Sequence, residues 1–455
     1  MDVKYARKDV VIIGGGPGGV TAAKEAGKLG ASVALIEQDK PGGRALWHSL
    51  VPSKVWLDAA DTGDEVVHAQ EMSYPMGGYI IQPEKVLERL QTVKDREHTR
   101  DKKTFEDLNV EVFNGKGHFL DDYTIQVTRD GEEVARVHGE QIIIASGSVP
   151  IFPDDLKPDG KRILAPRFMS HRKSIPESII VVGGGVTGSE TIYLFNRLGS
   201  EVTALTDIDT LLPRSDADIS NTLESVLSRR GVEFHKGQAV QSIVNHGDHV
   251  EATLTSGNSF EAELAFVAIG RVPDTSRLNL GKTGVTYDKH KGITVDGQLR
   301  TKVQHIFAIG DVTGPPMLAN KAIAQARFAV SNALKKTNYS YQPDWAVEAI
   351  YTVPEVAQIG MTETEAFKKN RNVRVLKTDY GKVLKSNIIE HQEGFLKMLV
   401  NQDNDRILGA SAVGDHAADL LAPVAVALKA EMTFHSFQQI APANPTISEL
   451  LVALE

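Results

Sequence analysis

Six glycines in two identically spaced sets carry the clearest chemistry of this sequence: Gly14, Gly16 and Gly19, then Gly183, Gly185 and Gly188. The spacing G-x-G-x-x-G serves a tight turn, a close approach of backbone to a pyrophosphate, and close packing of a helix on the preceding strand. Amides at the start of that helix face the phosphates. Glu37 stands about 20 residues beyond the first set, where a carboxylate accepts hydrogen bonds from ribose hydroxyls. Its counterpart after the second set is Thr206, followed by Asp207 and Asp209, with Arg214 nearby. The acidic neighbours oppose a 2'-phosphate by charge, so NAD(H) is expected in preference to NADP(H).

The elements that must hold these turns are legible around them. Residues 10–13, Val-Val-Ile-Ile, form a short β-branched run of the kind that becomes a buried parallel strand. A helical stretch follows the glycines, and residues 32–36 read as a second strand with Glu37 at its end. The order recurs with a strand at 179–182, the second glycine set, a helix, and a strand at 202–205. Gly14, Gly16, Gly19, Leu29, Gly30 and Val33 correspond to Gly183, Gly185, Gly188, Leu198, Gly199 and Val202. Such a recurrence predicts an α/β chain with two Rossmann-like dinucleotide-binding domains. Two nucleotides imply transfer between them.

Length and composition bound the rest. A chain of 455 residues is long enough for about three domains of roughly 100–200 residues each. An apolar fraction of 41% and a charged fraction of 24% are ordinary for globular proteins. The net charge of -9 opposes attraction to nucleic acid or anionic lipid, and neither partner is expected. No apolar run reaches the about 18 residues of a membrane span, and the N-terminus passes into a strand-like segment without a signal-type apolar region. No membrane insertion and a cytoplasmic location are therefore expected. The chain has no cysteine, which excludes a disulfide, a thiolate nucleophile and a thiolate metal site. Its histidines are scattered and form no recognised ligand spacing with carboxylates, so no metal is expected.

Further segments fall in a recognisable order: Gly42-Gly43; 51–54, Val-Pro-Ser-Lys; 145–148, Ala-Ser-Gly-Ser; 270–274, Gly-Arg-Val-Pro-Asp; 308–311, Ala-Ile-Gly-Asp; 352–355, Thr-Val-Pro-Glu; and 444–449, Asn-Pro-Thr-Ile-Ser-Glu. Together they resemble, over essentially the whole chain, the flavoprotein disulfide reductases (class I pyridine nucleotide-disulfide oxidoreductases). The likeness is strongest to dihydrolipoamide dehydrogenase and its mercuric reductase and soluble transhydrogenase relatives. It implies FAD held by Gly14, Gly16, Gly19, Glu37, Gly43, Ser146, Gly147, Gly310 and Asp311, and NAD(P) held by Gly183, Gly185, Gly188, Thr206, Asp207 and Gly270. It further implies an FAD domain over 1–148, an NAD(P) domain over 149–271, a central part over 272–343 that completes the FAD site, and an α+β dimerisation domain over 344–455 that makes the unit a homodimer. Breaker-rich passages at 149–155 and 338–344 agree with these cuts.

Departures from the family pattern redirect the expected function. The family's redox-active cysteines fall where this chain has Ala45 and Leu50, and its acid-base histidine where this chain has Asn444, while the glutamate that orients that histidine remains as Glu449. Neither Ala45 nor Leu50 forms a mixed disulfide, and an amide does not exchange the thiol proton. Asn320, where the dehydrogenases are expected to carry a histidine, is a further departure. Lys54 and Glu190 match the family's pair beside the flavin N5, where a cation stabilises charge on the reduced ring. Arg44, Trp47 and His48 stand near where the disulfide would face the flavin. Two roles are open to them: Trp47 stacking on a planar acceptor, His48 protonating a product and Arg44 binding an anionic group, or Trp47 filling volume and His48 facing solvent.

The expectation is an FAD-dependent NAD(P)H oxidoreductase of diaphorase type that delivers electrons to a quinone, a metal-bound or dye-like species, or dioxygen, without disulfide reductase activity. Pyridine nucleotide transhydrogenation is the alternative within the same chemistry. A non-catalytic flavin-binding redox sensor or scaffold is the alternative outside it.

Overall fold

A computed structural model of the chain describes all residues except Met1, Asp2, Ser73, Pro75, Met76, Pro343, Asp344, Asn370 and Arg371. The cut expected at 343/344 therefore lies outside the described residues. The chain divides into two compact units: 1–53, 87–151 and 270–343 in the first, and 54–86, 152–269 and 344–455 in the second.

In the first unit the apolar run at 10–13 is the buried end of a longer strand, Lys4–Ile13. Its polar half is drawn into the sheet by parallel pairing with Glu132–Ile144, from Lys4 against Ala135 to Ile13 against Ile144. Sequence pattern alone marks the apolar half, because the outer half alternates too weakly to announce a strand. The second strand, Val33–Glu37, runs parallel beside it, Val10 against Val33 and Ile13 against Ile36. Val110–Asn114 and Ile306–Ala308 extend the parallel part, and Thr124–Arg129 with Lys116–Phe119 add an antiparallel edge, giving a seven-stranded sheet. Ile12, Leu35, Ile143 and Phe307 are buried, as expected of parallel strands covered on both faces. The helix Pro17–Lys28 buries Val20, Ala22, Ala23 and Ala26.

Within this unit the chain leaves along Ser148–Pro150 and returns along Arg271–Pro273, and these two short strands pair antiparallel, Ser148 against Pro273 and Pro150 against Arg271. The ladder continues in a hydrogen bond from the Ile151 amide to the Gly270 carbonyl, 3.1 Å. The breaker-rich passage at 149–155 thus begins in a paired strand, a tertiary pairing that local composition does not reveal.

The second unit repeats the nucleotide-fold plan and adds a C-terminal layer. Ser178–Val182, Glu201–Leu205, Glu233–His235, Leu264–Val267 and Ile163–Leu164 form a five-stranded parallel sheet. Beyond it, Glu348–Ile350, Glu355–Gly360, Ile407–Gly414, Phe395–Asn401 and Val373–Asp379 form a five-stranded antiparallel sheet. Its core gathers Leu396, Met398, Ala412, Leu421, Val424 and Leu450. The architecture is therefore α/β with two Rossmann-like domains and an α+β C-terminal domain. Among the described residues no helix is long and apolar enough to cross a membrane.

Candidate active site

The first glycine turn is shaped by close contact. Gly14 has φ +103°, and a Cβ there would lie 2.3 Å from the Ala145 carbonyl oxygen; a Cβ on Gly19 would lie 1.8 Å from the Gly14 carbonyl oxygen. No side chain fits at either place, so the backbone of the turn and the N-terminus of the helix Pro17–Lys28 are drawn together. Gly16 caps that helix with no side-chain hydrogen bond, leaving the first amides of the helix for an anion. Glu37 is 7% exposed and accepts hydrogen bonds from the amides of Gly15 (2.6 Å) and Asp39 (2.9 Å). Burial pushes its carboxyl above the ordinary range against those bonds. The carboxylate thus braces the turn itself and retains lone pairs for a further donor.

Further loops of the first unit meet at the carboxyl ends of its strands, where open α/β sheets bind ligands. The Gly42 amide donates to the Gly15 carbonyl, 2.8 Å, and a Cβ on Gly43 would come within 2.7 Å of Gly16 Cα. Ser146 Oγ donates to the Asp274 carbonyl, 2.8 Å, and the Asp274 amide donates back to the Gly147 carbonyl, 2.9 Å. The Gly310 amide is held by Gln325 Oε1, 2.7 Å, and Asp311 Oδ2 accepts from Ser148 Oγ, 2.6 Å. Gly14, Gly16, Gly19, Glu37, Gly43, Ser146, Gly147, Gly310 and Asp311 all belong to this unit. These loops fit an extended dinucleotide: glycine where backbone must come close, amides at a helix start, and a carboxylate on the sheet edge.

The second unit repeats the turn contact for contact. Gly183 has φ +111° with a hypothetical Cβ 2.4 Å from the Ala268 carbonyl oxygen, and a Cβ on Gly188 would lie 1.8 Å from the Gly183 carbonyl oxygen. Gly185 caps the helix Val186–Arg197. Ala145 and Ala268 are thus also corresponding positions, joined to the strands by the same bonds: Ala145 N to Ile13 O and Ala268 N to Val182 O, each 2.8 Å. Sequence comparison of the repeats stops before them, because they lie more than 80 residues past each turn and only the sheet brings them back. Thr206 is buried beside Gly184, in the place Glu37 takes beside Gly15. Asp207 and Asp209 are exposed. Gly270 lies in the first unit, where its carbonyl accepts from Ile151.

The helix that opens at the second glycine turn carries Glu190 two residues after Gly188. Lys54 Nζ donates to both carboxylate oxygens of Glu190, 2.6 and 2.7 Å, within the second unit. Glu190 is buried and Lys54 partly exposed. The Tyr351 amide donates to Glu190 Oε1, 3.1 Å, and Lys54 Nζ stands 4.5 Å from the centroid of the Tyr351 ring, a cation–π distance. No local sequence signal marks Tyr351 itself beside the segment 352–355, because its bonds reach across about 160 residues of chain.

Tyr351 also lines a cleft of about 570 Å³ in the second unit with Asp61, Glu355, His391 and Asp415. Burial, then Asp419, pushes the Glu355 carboxyl up to about 7. Burial, then Glu355 and Glu190, raises the Tyr351 phenol above its ordinary value.

The altered segment is well anchored. Ala45 lies in the short helix Gly43–Trp47, and Leu50 begins the helix Leu50–Glu71 with 40% of its surface exposed. Trp47 Nε1 donates to the Pro41 carbonyl, 3.0 Å; its ring meets His98 edge-on at 5.4 Å, and Lys40 Nζ lies 4.9 Å from its centroid. The His48 amide caps the short helix through the Arg44 carbonyl, 2.9 Å. Arg44 reaches the Ser148 carbonyl, 2.8 Å. In the C-terminal domain Asn444 is exposed and its amide nitrogen bonds the Glu449 carboxylate. Asn444 and Glu449 are thus bonded to each other, and the amide is a group that does not titrate. Among the described residues no group of three or more histidine, aspartate or glutamate side chains is arranged to hold a metal ion.

Comparison with known proteins adds to this geometry. A family model for pyridine nucleotide-disulphide oxidoreductases matches residues 8–326, and the model for the dimerisation domain of those oxidoreductases matches residues 347–454. Dihydrolipoyl dehydrogenase of Chlamydia muridarum is 32% identical over 447 residues, covering 97% of this chain and 95% of its own. A dihydrolipoyl dehydrogenase of Bacillus subtilis is 33% identical over 451 residues, covering 97% and 96%. The crystal structure of LpdA from Mycobacterium tuberculosis superposes with a TM-score of 0.92 at 28% identity, covering 98% of both chains.

Proposed function

Because the chain belongs to the pyridine nucleotide-disulphide oxidoreductase family, whose members use FAD and NAD(P)H, we propose that it oxidises NAD(P)H and reduces an acceptor that is not a disulfide. The acceptor is a quinone, a metal-bound or dye-like species, or dioxygen. The observation that carries this reading is the absence of cysteine from all 455 residues. A disulfide reductase needs a thiolate to attack its substrate. Asn444 in place of a titrating group removes the proton partner of that thiolate in the same stroke.

Bound FAD supplies the two-electron relay between nicotinamide and acceptor. For a quinone the balance is NAD(P)H, one proton and quinone going to NAD(P)+ and hydroquinone. In this proposal the chain's own residues take the following parts. The two glycine turns and their helix starts hold the pyrophosphates of the two cofactors. In this reading Lys54, held by Glu190 and by the face of Tyr351, serves beside the flavin N5, where negative charge develops on reduction. In the same reading Trp47 and His48 serve the acceptor, Trp47 with a planar face and His48 as proton donor to the reduced product. The active form is a homodimer through residues 344–455. The grouping of 1–53, 87–151 and 270–343 in one unit supports assigning 1–148 and 272–343 jointly to FAD.

Anaerobic titration of the FAD-loaded protein with NADH, and separately with NADPH, tests the first half of the reaction. Bleaching of the flavin band is expected, faster with NADH; a band that persists with both nucleotides rules out oxidoreductase function. Steady-state assays then offer quinones and lipoamide side by side, with turnover expected on the quinones alone.

A further inference from the structure

In the second unit the strand Glu201–Leu205 ends beside the glycine turn, and the loop that follows it, 206–216, folds back on that turn. The Leu212 amide donates to the Gly184 carbonyl, 2.7 Å, and the Ser215 amide donates to the Leu212 carbonyl, 2.8 Å. Arg214 lies inside this closed turn and is the one basic residue of the loop. An arginine near this end of a dinucleotide fold is the group that accommodates a 2'-phosphate, because its fork of donors matches phosphate oxygens.

Arg214 is engaged elsewhere. Its Nη2 donates to Glu348 Oε2, 3.0 Å, across 134 residues of chain. Glu348 is buried at the start of the strand Glu348–Ile350 in the C-terminal sheet, opposite Gln358 in the pairing with Glu355–Gly360. Gln358 Nε2 donates to the same oxygen, 3.0 Å, so the carboxylate is fixed in the sheet while the arginine is half exposed. Drawing the guanidinium away would leave a buried carboxylate without its cation, which costs more than the bond itself returns. The parallel neighbour strand, Glu233–His235, offers no substitute at its end: Lys236 Nζ donates to Glu224 Oε1, 2.6 Å, and His235 Nε2 is bonded to Glu233 Oε1, 2.7 Å. Asp207 and Asp209, both exposed, add negative charge to the same loop.

We propose that Glu348 determines coenzyme preference: by holding Arg214 against the C-terminal sheet, it keeps the guanidinium from the 2'-phosphate of NADP(H) and leaves NAD(H) as the coenzyme. This rests on the reading that the chain takes NAD(P)H, and it places the deciding residue outside the nucleotide fold.

NAD+ and NADP+ do not reduce the flavin, so their binding to the FAD-loaded protein, read by titration calorimetry, tests the proposal apart from turnover. E348Q keeps the shape of the side chain and an acceptor for Gln358 but releases Arg214. It is expected to bind NADP+ about tenfold more tightly than the wild type does, the gain from one charge-assisted contact to phosphate, with NAD+ affinity unchanged. R214Q/E348Q should lose that gain. No gain for NADP+ in E348Q overturns the proposal, and so does an equal gain for NAD+, which belongs to a loosened fold. A gain that survives in R214Q/E348Q also overturns it, since the lost carboxylate charge then accounts for the effect without Arg214. Should E348Q fail to fold, R214Q alone decides: the affinity for NADP+ relative to NAD+ should stay within about twofold of the wild-type ratio in physiological salt. A fall of about tenfold in that ratio means that Arg214 already serves the phosphate beside Glu348, and the proposal fails. Binding of neither nucleotide to the wild type overturns the NAD(P)H reading as well, which sets that failure apart from the others.

Discussion

Replacing Lys54 by methionine strands the Glu190 carboxylate, which is buried and takes both strong bonds from that lysine. With the cation gone, reduction of the flavin by NADH is expected to slow by about 10²–10³-fold, the usual loss for one preorganised charge partner; stopped-flow absorbance reads it. Glu355 offers a test of the cleft. Its carboxyl is raised from an ordinary 4.5 to about 7, so the folded state binds that proton more tightly than the unfolded state. The stabilising effect is complete below pH 4.5 and is lost as pH rises through about 7, at most roughly 3 kcal/mol in all. E355Q cannot ionise there. Its melting temperature should therefore gain on that of the wild type as pH goes from 5 to 8; a constant difference across that range contradicts a partly buried, titrating Glu355.

At the scale of elements, the two glycine turns are expected to fail separately. A methyl at Gly19 would lie 1.8 Å from Gly14 O, and a methyl at Gly188 equally close to Gly183 O. G19A should purify without the yellow of FAD, whereas G188A should retain FAD yet show no bleaching with NADH. Both turns were legible because their information is local: three glycines, an apolar run before, a helix after. The bonds of Arg271 to Ser148 and of Tyr351 to Glu190, and the equivalence of Ala145 with Ala268, were not, because the partners lie across the sheet or far along the chain. The C-terminal sheet holds another such contact. Lys397 is 2% exposed and bridges Asp216 (3.0 Å), Asp218 (2.8 Å) and Glu363 (3.2 Å), tying the sheet strand Phe395–Asn401 to the helices Ala217–Arg229 and Glu363–Lys368. Lys397 interrupts the apolar run 395–400, which marks a buried strand but gives no sign of the three carboxylates that partner it. K397M leaves three carboxylates facing one another and is expected to cost about 3–5 kcal/mol, measured from chemical denaturation midpoints.

For the whole molecule, the order of the family's segments made the fold readable from end to end, and the missing cysteines and histidine narrowed the reaction by subtraction. What the sequence withheld is how the chain enters and leaves its middle section. Ser148–Pro150 and Arg271–Pro273 are hydrogen-bonded neighbours, and Ile151 is bonded to Gly270. The segment between them is thus an insertion whose two ends remain fixed side by side in the host, whatever its length or internal changes, with the closure entropy set once by that ladder. The doorway is fixed but the room is not detachable: changes of length inside the segment leave the pairing of its two ends undisturbed, while Glu190 bonded to Lys54, and Asp216 and Asp218 bonded to Lys397, oblige its interior to change in step with residues 54–86 and 344–455.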